Sequence, residues 1–254
     1  MNPTQARDLI RQTFPKSFDK TRFRNFVINL LNHIDESKAQ VWPHQYVKDA
    51  FKPGIAHFER LATYTDPAGE KLDVLIVLLK KETGLDRARP FQRNFVADYL
   101  ATRGQKEAAL VAFVSPNSDD WRFSLVKMEY TTRQTKTGKV KIEEILTPAR
   151  RYSFLVGSNE ASHTAQAQLV GILADSDIDP TLVQLEQAFS VERVSDEFFG
   201  QYKHLLIAIK EALGDVLNRD KLVRGDFELK DVSPVDFVKK LLGQIIFLYF
   251  LQKK

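Results

Sequence analysis

The sequence predicts an α/β fold, in which a mixed β-sheet is flanked by helices and followed by a helical segment. Strand-like runs cluster between residues 55 and 157, and helical periodicity dominates before and after that region. One of the strand-like runs is continuously apolar, which is typical of a strand covered on both faces. With 254 residues, 43% of them hydrophobic, the chain can bury a substantial core.

Two helices are predicted before the first strand, over residues 4–14 and 19–34. Asp19 is positioned to cap the second helix, because a carboxylate at this place accepts hydrogen bonds from the first free backbone N–H groups. The second helix carries apolar residues at helical spacing, namely Phe23, Phe26, Val27, Leu30, Leu31 and Ile34.

The central prediction is a β-hairpin built from residues 55–65 and 71–81. The intervening stretch "DPAGE" contains the residues that favour a turn. The first arm alternates between apolar and polar residues, whereas the second arm, "KLDVLIVLLKK", is apolar almost throughout. We therefore expect the second arm to be a central strand with both faces buried.

The rest of the chain continues this α/β pattern and then becomes helical. Pro90 is suited to the first turn of a helix that ends near Gly104. Strands are predicted over 108–115, 121–132 and 151–157, with a polar tip between the last two, and helices follow from Ser162 onward.

The acidic loop at 174–180 is the predicted domain boundary. It would separate an α/β domain, residues 1–174, from a helical connector, residues 175–254, although a solvated loop within one domain is the alternative. The final helix contains a seven-residue apolar run, 245–251, which is far shorter than the roughly 20 residues that span a membrane. Its apolar character on all sides leads us to expect that further protein covers it.

Composition excludes several classes of function. The formal charge of +4 is compatible with nucleic-acid binding but also ordinary for a soluble protein. Cysteine is absent, no histidine pair has helical zinc-ligand spacing, and no Gly-x-Gly or phosphate-binding Gly-Lys-Ser/Thr motif occurs. Charges near the N-terminus argue against a signal peptide, so a cytoplasmic location is expected.

The lysines that end the second hairpin arm suggest phosphate chemistry. Metal-dependent nucleases of the restriction-endonuclease fold place a lysine at the end of a buried strand, in the pattern of an acid followed by Glu-x-Lys. Here Leu78 stands two residues before Lys80, and Leu79 stands two before Lys81. The alternative is that both lysines simply carry the strand into solvent.

Two other carboxylates are candidates for the missing acid. Asp73 lies on the same arm as Lys80, but alternation places it on the other face and about 23 Å away. If the hairpin turns around Ala68 and Gly69, Glu59 lies across from Leu78 on the face of Lys80, and a one-residue slip would reverse its facing. The candidate catalytic residues are therefore Glu59, Asp73 and Lys80, with Glu59 and Asp73 as metal ligands and Glu82 as a further carboxylate.

The helix after the hairpin carries candidate DNA contacts. Gln92 and Tyr99 are seven residues apart and therefore share one face, which resembles the Gln and Tyr helix of some nucleases of this fold. Basic residues at its start could hold phosphates, although plain core and surface roles are the alternative. The candidate DNA-binding residues are Lys81, Arg87, Arg89, Gln92 and Arg93.

Most of residues 50–254 resembles the N-terminal region of type IIG restriction-modification enzymes, which are single-chain adenine-specific DNA methyltransferase-endonucleases. The stretches that carry the resemblance are "DPAGEKLDVLIVLLKKETGLDRARPFQRNFVADYL", "AALVAFVSPNSDDWRFSLVKMEY", "TPARRYSFLVG", "SHTAQAQL" and "KKLLGQIIFLYFLQKK".

The resemblance implies a restriction-endonuclease-like sheet that hydrolyses duplex DNA with Mg²⁺. It also implies a helical connector leading to a methyltransferase that uses S-adenosylmethionine and lies beyond Lys254. The chain departs from the family pattern because an acid followed by Glu-x-Lys is not found in order. The alternatives are therefore a catalytically inactive DNA-binding module or a scaffold for the methyltransferase.

Overall fold

The computed structural model describes residues 1–80, 85, 89–103, 106–134 and 140–252. Within this part, only the backbone is described for residues 103, 130–134, 140–148, 191–197 and 250.

The described chain begins with two helices, continues through the sheet and ends in helices. The helices are α1 (Pro3–Thr13), α2 (Lys20–Leu31), α3 (Arg89–Arg103), α4 (His163–Ala174), α5 (Leu182–Phe189), α6 (Val191–Arg219), α7 (Lys221–Leu229) and α8 (Pro234–Gln252). The strands are β1 (Gln40–Trp42), β2 (Ile55–Thr65), β3 (Lys71–Leu79), β4 (Ala108–Val114), β5 (Asp120–Gln134) and β6 (Val140–Gly157), and a short 3-10 helix spans His44–Tyr46.

The strands form one six-stranded mixed sheet in sequential order, from β1 to β6. Neighbouring strands are antiparallel, except that β4 runs parallel to β3. A parallel pair needs a crossover connection, and α3 provides it. This confirms the predicted α/β class and places β3 in the interior of the sheet, as its apolar sequence indicated.

Helices cover both faces of the sheet. On one face, α1, α2, α4 and α5 enclose an apolar core in which Phe14, Phe23, Trp121 and Phe123 pack edge to face or tilted. On the other face, α3 packs against a second core. The continuous apolar run of β3 serves both cores, since alternate residues point to opposite faces.

Local sequence signals determine where several helices begin. The Asp19 side chain accepts a hydrogen bond from Arg22 N at 2.8 Å, so the predicted cap of α2 is confirmed. Asn2 and Gln5 form a reciprocal capping box at α1, and Thr181 and Gln184 form another at α5.

β6 is much longer than the predicted strand over 151–157. It begins at Val140, and the β5–β6 pairing reaches Gln134 opposite Val140. The alternation of Val140 and Ile142 with charged residues is short and is broken at Glu143 and Glu144, and Pro148 argues against a regular strand, so the sequence pattern did not reveal β6 in full.

Compact packing divides the chain into Met1–Val191 and Glu192–Lys254. The first unit therefore extends beyond the boundary at 174–180 that composition suggests. The physical reason is α5, whose Leu182, Leu185 and Phe189 are buried in the core of the sheet unit.

The second unit contains α6, α7 and α8. Asp220 caps α7 through hydrogen bonds from Leu222 N and Val223 N, and Phe227 and Phe237 pack edge to face between α7 and α8. Among the described residues, none of the helices is both long and apolar enough to cross a membrane.

Candidate anion-binding site

A basic pocket of about 490 Å³ lies between the first turns of α3 and the edge strand β6. Four of its lining side chains are arginines and one is a carboxylate. The lining residues are Arg89, Pro90, Arg93, Glu129, Ala149, Arg150, Arg151 and Tyr152. Since guanidinium groups match phosphate and carboxylate geometry, this is the candidate functional site.

The pairing of β5 with β6 places two adjacent arginines beside this pocket. Arg151 lies opposite Val126, which belongs to the core on the α3 face, and Arg150 lies opposite Lys127. Because successive strand residues point to opposite faces, these two side chains leave the strand on different sides. Both reach the same pocket because β6 is the edge of the sheet.

Gln92 holds Arg151 in position. The Gln92 side chain is fully buried, and its Oε1 accepts a hydrogen bond from Arg151 Nη1 at 2.7 Å. Its Nε2 donates to the carbonyl oxygen of Leu85 at 3.3 Å. With both ends of its amide occupied, Gln92 acts as a support for the arginine rather than as a direct contact for a ligand.

Positive charge is concentrated around Arg151. Burial, together with the nearby charges of Arg122, Arg89 and Arg93, lowers the pKa of Arg151 to about 10. Burial contributes most to this lowering of the pKa, and the neighbouring guanidinium charges add repulsion between cations. A bound anion would relieve that repulsion, which is the electrostatic condition of an anion site.

The carboxylate in the pocket is already paired. Glu129 forms an ion pair with Arg150, whose guanidinium also bonds to Tyr152, and these contacts raise the pKa of Arg150. Arg93, in contrast, donates to the neutral amide oxygen of Asn94 at 3.1 and 3.3 Å. Within the described part of the chain, Arg93 and Arg151 therefore have amide oxygens and no carboxylate as partners.

A second polar cluster surrounds Asp73 near the other end of α3. The Asp73 side chain is fully buried; its Oδ2 accepts a hydrogen bond from Tyr99 Oη at 2.8 Å and lies 3.5 Å from Arg60 Nη1. Lys106 Nζ is 2.8 Å from Oδ1, at an angle that makes it an ion pair rather than a directed hydrogen bond. Two cations thus balance one carboxylate, which suits a structural role.

The observed hairpin register differs from the expected one. Glu59 pairs with Ile76, and His57 rather than Glu59 lies across from Leu78, so the predicted register is wrong. The hairpin is centred on Ala68, with Thr65 opposite Lys71, and a β-bulge between Arg60 and Ala62 shifts the pairing further. The bulge has this effect because an extra residue in one strand moves all the pairs beyond it.

Glu59 and Asp73 lie on opposite faces of the sheet. Ile76, the partner of Glu59, belongs to the core under α1 and α2, and Glu59 forms an ion pair of 2.6 Å with Lys20 of α2. Asp73 contacts α3 on the other face through Tyr99. The structure therefore does not bring the two candidate metal ligands together.

Lys80 follows β3, and its backbone N–H donates to the carbonyl oxygen of Gly54 at 2.9 Å. Its side chain is partly buried, and no carboxylate among the described residues lies within ion-pair distance of its ammonium group. The predicted DNA contacts Lys81 and Arg87, and the further carboxylate Glu82, lie outside the described residues.

A Mg²⁺ ion does not fit the carboxylates that the structure describes. Magnesium needs several oxygen ligands converging on one point, whereas Glu59 and Asp73 are on separate faces and each is already balanced by cations. Across the described ranges, no group of three or more His, Asp or Glu side chains could hold a metal ion.

Sequence reasoning found Arg89, Gln92 and Arg93 but missed their partners from the sheet. Arg122 and Arg151 both lie on the α3 face and are followed by serines at the next position on that face, Ser124 and Ser153. Polar residues that alternate along one face of two otherwise apolar strands are the sequence pattern from which Arg122 and Arg151 could have been predicted.

The fold and the pocket define an α/β protein with a polybasic site at the edge of a mixed sheet. Comparison of the chain with models of protein families, with curated proteins and with solved structures finds no match.

Proposed function

We propose that the sheet unit binds duplex DNA through its phosphate backbone and that the arginine pocket beside β6 is the contact. The observation that carries the proposal is the convergence of Arg89 and Arg93 from α3 with Arg150 and Arg151 from β6 on one concave volume. Arginine is the residue best suited to hold phosphate oxygens through paired hydrogen bonds.

The family resemblance supports the same proposal. The hairpin followed by a helix and a parallel strand is consistent with a restriction-endonuclease-like sheet, and Gln92 and Tyr99 both point from α3 toward that sheet. In this proposal the chain is the nuclease-like N-terminal portion of a type IIG restriction-modification enzyme. Its further partners would be the methyltransferase domain of the full-length protein and that domain's S-adenosylmethionine.

The binding test uses a fluorescent duplex with 5′-hydroxyl ends and a salt titration. Binding through backbone phosphates makes log Kobs fall linearly with log salt, with a slope of about −0.9 for each phosphate contacted. Arg93→Gln should weaken binding about tenfold and reduce the slope by about one.

Arg11→Gln is the matched control, because Arg11 is an exposed arginine of α1 whose ion pair within the described part of the chain is with Asp8, at 3.5 Å. The same change of net charge there should leave the affinity within about twofold, since an exposed pair contributes little. Equal losses of affinity in the two variants would indicate a general effect of net charge. DNA binding that does not depend on salt, or the absence of DNA binding, would reject the proposal.

DNA hydrolysis, with Glu59, Asp73 and Lys80 in catalytic roles and Mg²⁺ as cofactor, stays a prediction from the resemblance. The separation of Glu59 from Asp73 gives it no support, so binding without cleavage is the function that the geometry favours. Supercoiled plasmid incubated with the protein and millimolar Mg²⁺ tests it. Nicking that Lys80→Ala abolishes would establish the hydrolytic alternative.

A further inference from the structure

We infer that the arginine pocket selects a phosphomonoester, the terminal 5′-phosphate of a DNA end, over the internal phosphodiesters of the backbone. The inference rests on the proposed function in taking DNA as the ligand and adds which phosphate the pocket holds. The two ligands differ in charge and in free oxygens: a phosphodiester carries one negative charge, while a terminal phosphate carries nearly two at neutral pH, because its second pKa is about 6.

The charge balance of the pocket matches the more highly charged ligand. Arg150 is neutralised by Glu129, but Arg93 and Arg151 contact only neutral amide oxygens among the described residues. A phosphodiester would compensate one of these two guanidinium groups. A terminal phosphate in its dianionic form would compensate both, and its three free oxygens offer more acceptors for two bidentate guanidinium groups.

The geometry of the pocket also favours a terminal phosphate as the ligand. Its arginines approach one volume of about 490 Å³ from a helix and from a strand, so they can contact one phosphate group from two directions. Proteins that follow a duplex backbone contact successive phosphates, which lie along the outside of the helix. A concave site with several arginines converging is better filled by the end of a strand.

Arg151 is prepared for such a ligand before it binds. Its Nη1 is tied to the fully buried Gln92 at 2.7 Å, which restricts the orientation of the guanidinium plane. A charged group that is already oriented loses little conformational entropy on binding. Arg122, Arg89 and Arg93 place further positive charge near Arg151, and a bound anion would reduce the repulsion among these guanidinium groups.

The test compares duplexes of one sequence with 5′-phosphate or 5′-hydroxyl ends, measured by fluorescence anisotropy. The 5′-phosphate duplex should bind at least about tenfold more tightly, since charge-assisted hydrogen bonds are the stronger class. Closed circular DNA, which has only internal phosphodiesters, should compete no better than the 5′-hydroxyl duplex at equal nucleotide concentration. Equal binding of the two duplexes would overturn the inference and leave the proposed function intact, whereas no binding of either would reject both.

The pH dependence provides a readout that general charge attraction would not give. The preference for the 5′-phosphate should shrink toward unity as the pH falls from 7.5 to below about 6, where the phosphomonoester becomes a monoanion. The groups that face the ligand are the arginines 89, 93, 150 and 151, with Glu129 and Tyr152. A preference that stays constant over this interval would contradict the inference.

Two variants and one control connect the preference to the pocket. Arg93→Gln removes one uncompensated charge without touching the buried Gln92, and Arg151→Lys keeps the charge but loses the planar pair of donors. Both should reduce the preference to near parity, while Arg11→Gln should retain it. Tryptophan fluorescence confirms that each variant is folded, and a preference that survives in both pocket variants would overturn the assignment.

A free mononucleotide carries the same phosphomonoester. Titrating a nucleoside 5′-monophosphate against the bound 5′-phosphate duplex separates the two sources. Weak displacement identifies a DNA end as the ligand, whereas displacement at equal molar concentration identifies a free nucleotide and would overturn the assignment to DNA ends.

Discussion

The Tyr99 hydroxyl donates a hydrogen bond to Asp73 Oδ2 at 2.8 Å and so joins the second half of α3 to the first residues of β3. The same carboxylate lies close to Lys106, which precedes β4, and to Arg60 of β2. One buried charge therefore links α3 with β2, β3 and the segment that leads into β4. Removing this charge leaves two partly buried cations without their partner, and an unpaired buried charge strongly lowers the free energy of unfolding.

Asp73→Asn should destabilise the sheet unit by about 3–5 kcal/mol, the usual cost of removing one partner of a buried ion pair. Urea unfolding followed by tryptophan fluorescence measures this, because both tryptophans, Trp42 and Trp121, lie in the sheet unit. Tyr99→Phe removes one hydrogen bond to a charged group and should cost about 1.5–3 kcal/mol.

Asp49→Asn is the control for the Asp73 variants. Asp49 also pairs with a lysine, Lys52 at 2.6 Å, but its side chain is 92% exposed. Its loss should leave the unfolding midpoint nearly unchanged, since solvent screens an exposed pair. If Asp73→Asn changed the midpoint no more than this control, the structural role of the cluster would be refuted.

Glu186 should make the stability of the sheet unit depend on pH in the acidic range. Burial raises the pKa of Glu186, but hydrogen bonds from Lys127 and Tyr152 and the charges of Lys127 and Arg150 outweigh burial and hold it below its ordinary value of 4.5. The unfolded state therefore binds more protons than the folded state in this range. The contribution is present above about pH 4.5 and is lost as the pH falls through the lower, folded-state pKa.

Comparing the pH profile of stability for the wild type and Glu186→Gln checks this. The variant should show a smaller loss of stability between neutral pH and the acid range. Tyr152→Phe, which removes the 2.9 Å hydrogen bond to Glu186 but keeps Lys127, should give an intermediate profile. Identical slopes in the wild type and Glu186→Gln would count against this account.

Gly157→Ala should destabilise the end of the β5–β6 pair. Gly157 has φ of +144°, which L side chains rarely adopt, and a Cβ there would meet the backbone of Asp120 and approach the carbonyl oxygen of Asp119 to 2.6 Å. The backbone cannot yield as a flexible side chain would. We expect a loss of about 1–3 kcal/mol in urea unfolding.

Replacing Gly171 with alanine should instead raise the free energy of unfolding. Gly171 lies within α4 and is exposed, and a Cβ at this position would have open space around it. Alanine there should stabilise the helix by up to about 1 kcal/mol, because glycine is the poorer helix former. Destabilisation at both sites would show that the conformation of Gly157 is not the cause.

The strand and helix pattern was largely predictable because it depends on neighbours in the sequence. The hairpin arms, the interior position of β3 and the Asp19 cap all follow from local periodicity or from a single side chain and its own backbone. β6 is the exception, since its residues before 151 show only a short alternation and include Pro148, yet they pair with β5.

The candidate site was only half predictable. Arg89 and Arg93 could be recognised in the sequence as basic residues at the start of a helix. Arg151, in contrast, lies 59 residues beyond Gln92. The 2.7 Å hydrogen bond between Gln92 and Arg151 exists only because α3 crosses the sheet to reach β6. The predicted position of Glu59 across from Leu78 was wrong for a related reason, although its partner Ile76 lies on the same face of β3 as Leu78. Nothing in the alternation of β2 marks the bulge that helps to move Glu59 opposite Ile76.

Composition and short-range pattern were enough to predict the α/β class and the central strand, because both depend on residues that are close together in the sequence. Which charged groups meet depends on the packing of distant elements. The structure pairs Glu59 with Ile76 across the sheet, brings Lys20 to its carboxylate and gathers four arginines into one pocket. The physical reason is that the packing of whole helices and strands fixes the register of strand pairing and the path of the crossover helix. A register shift of one residue would turn every side chain of a strand to the other face of the sheet.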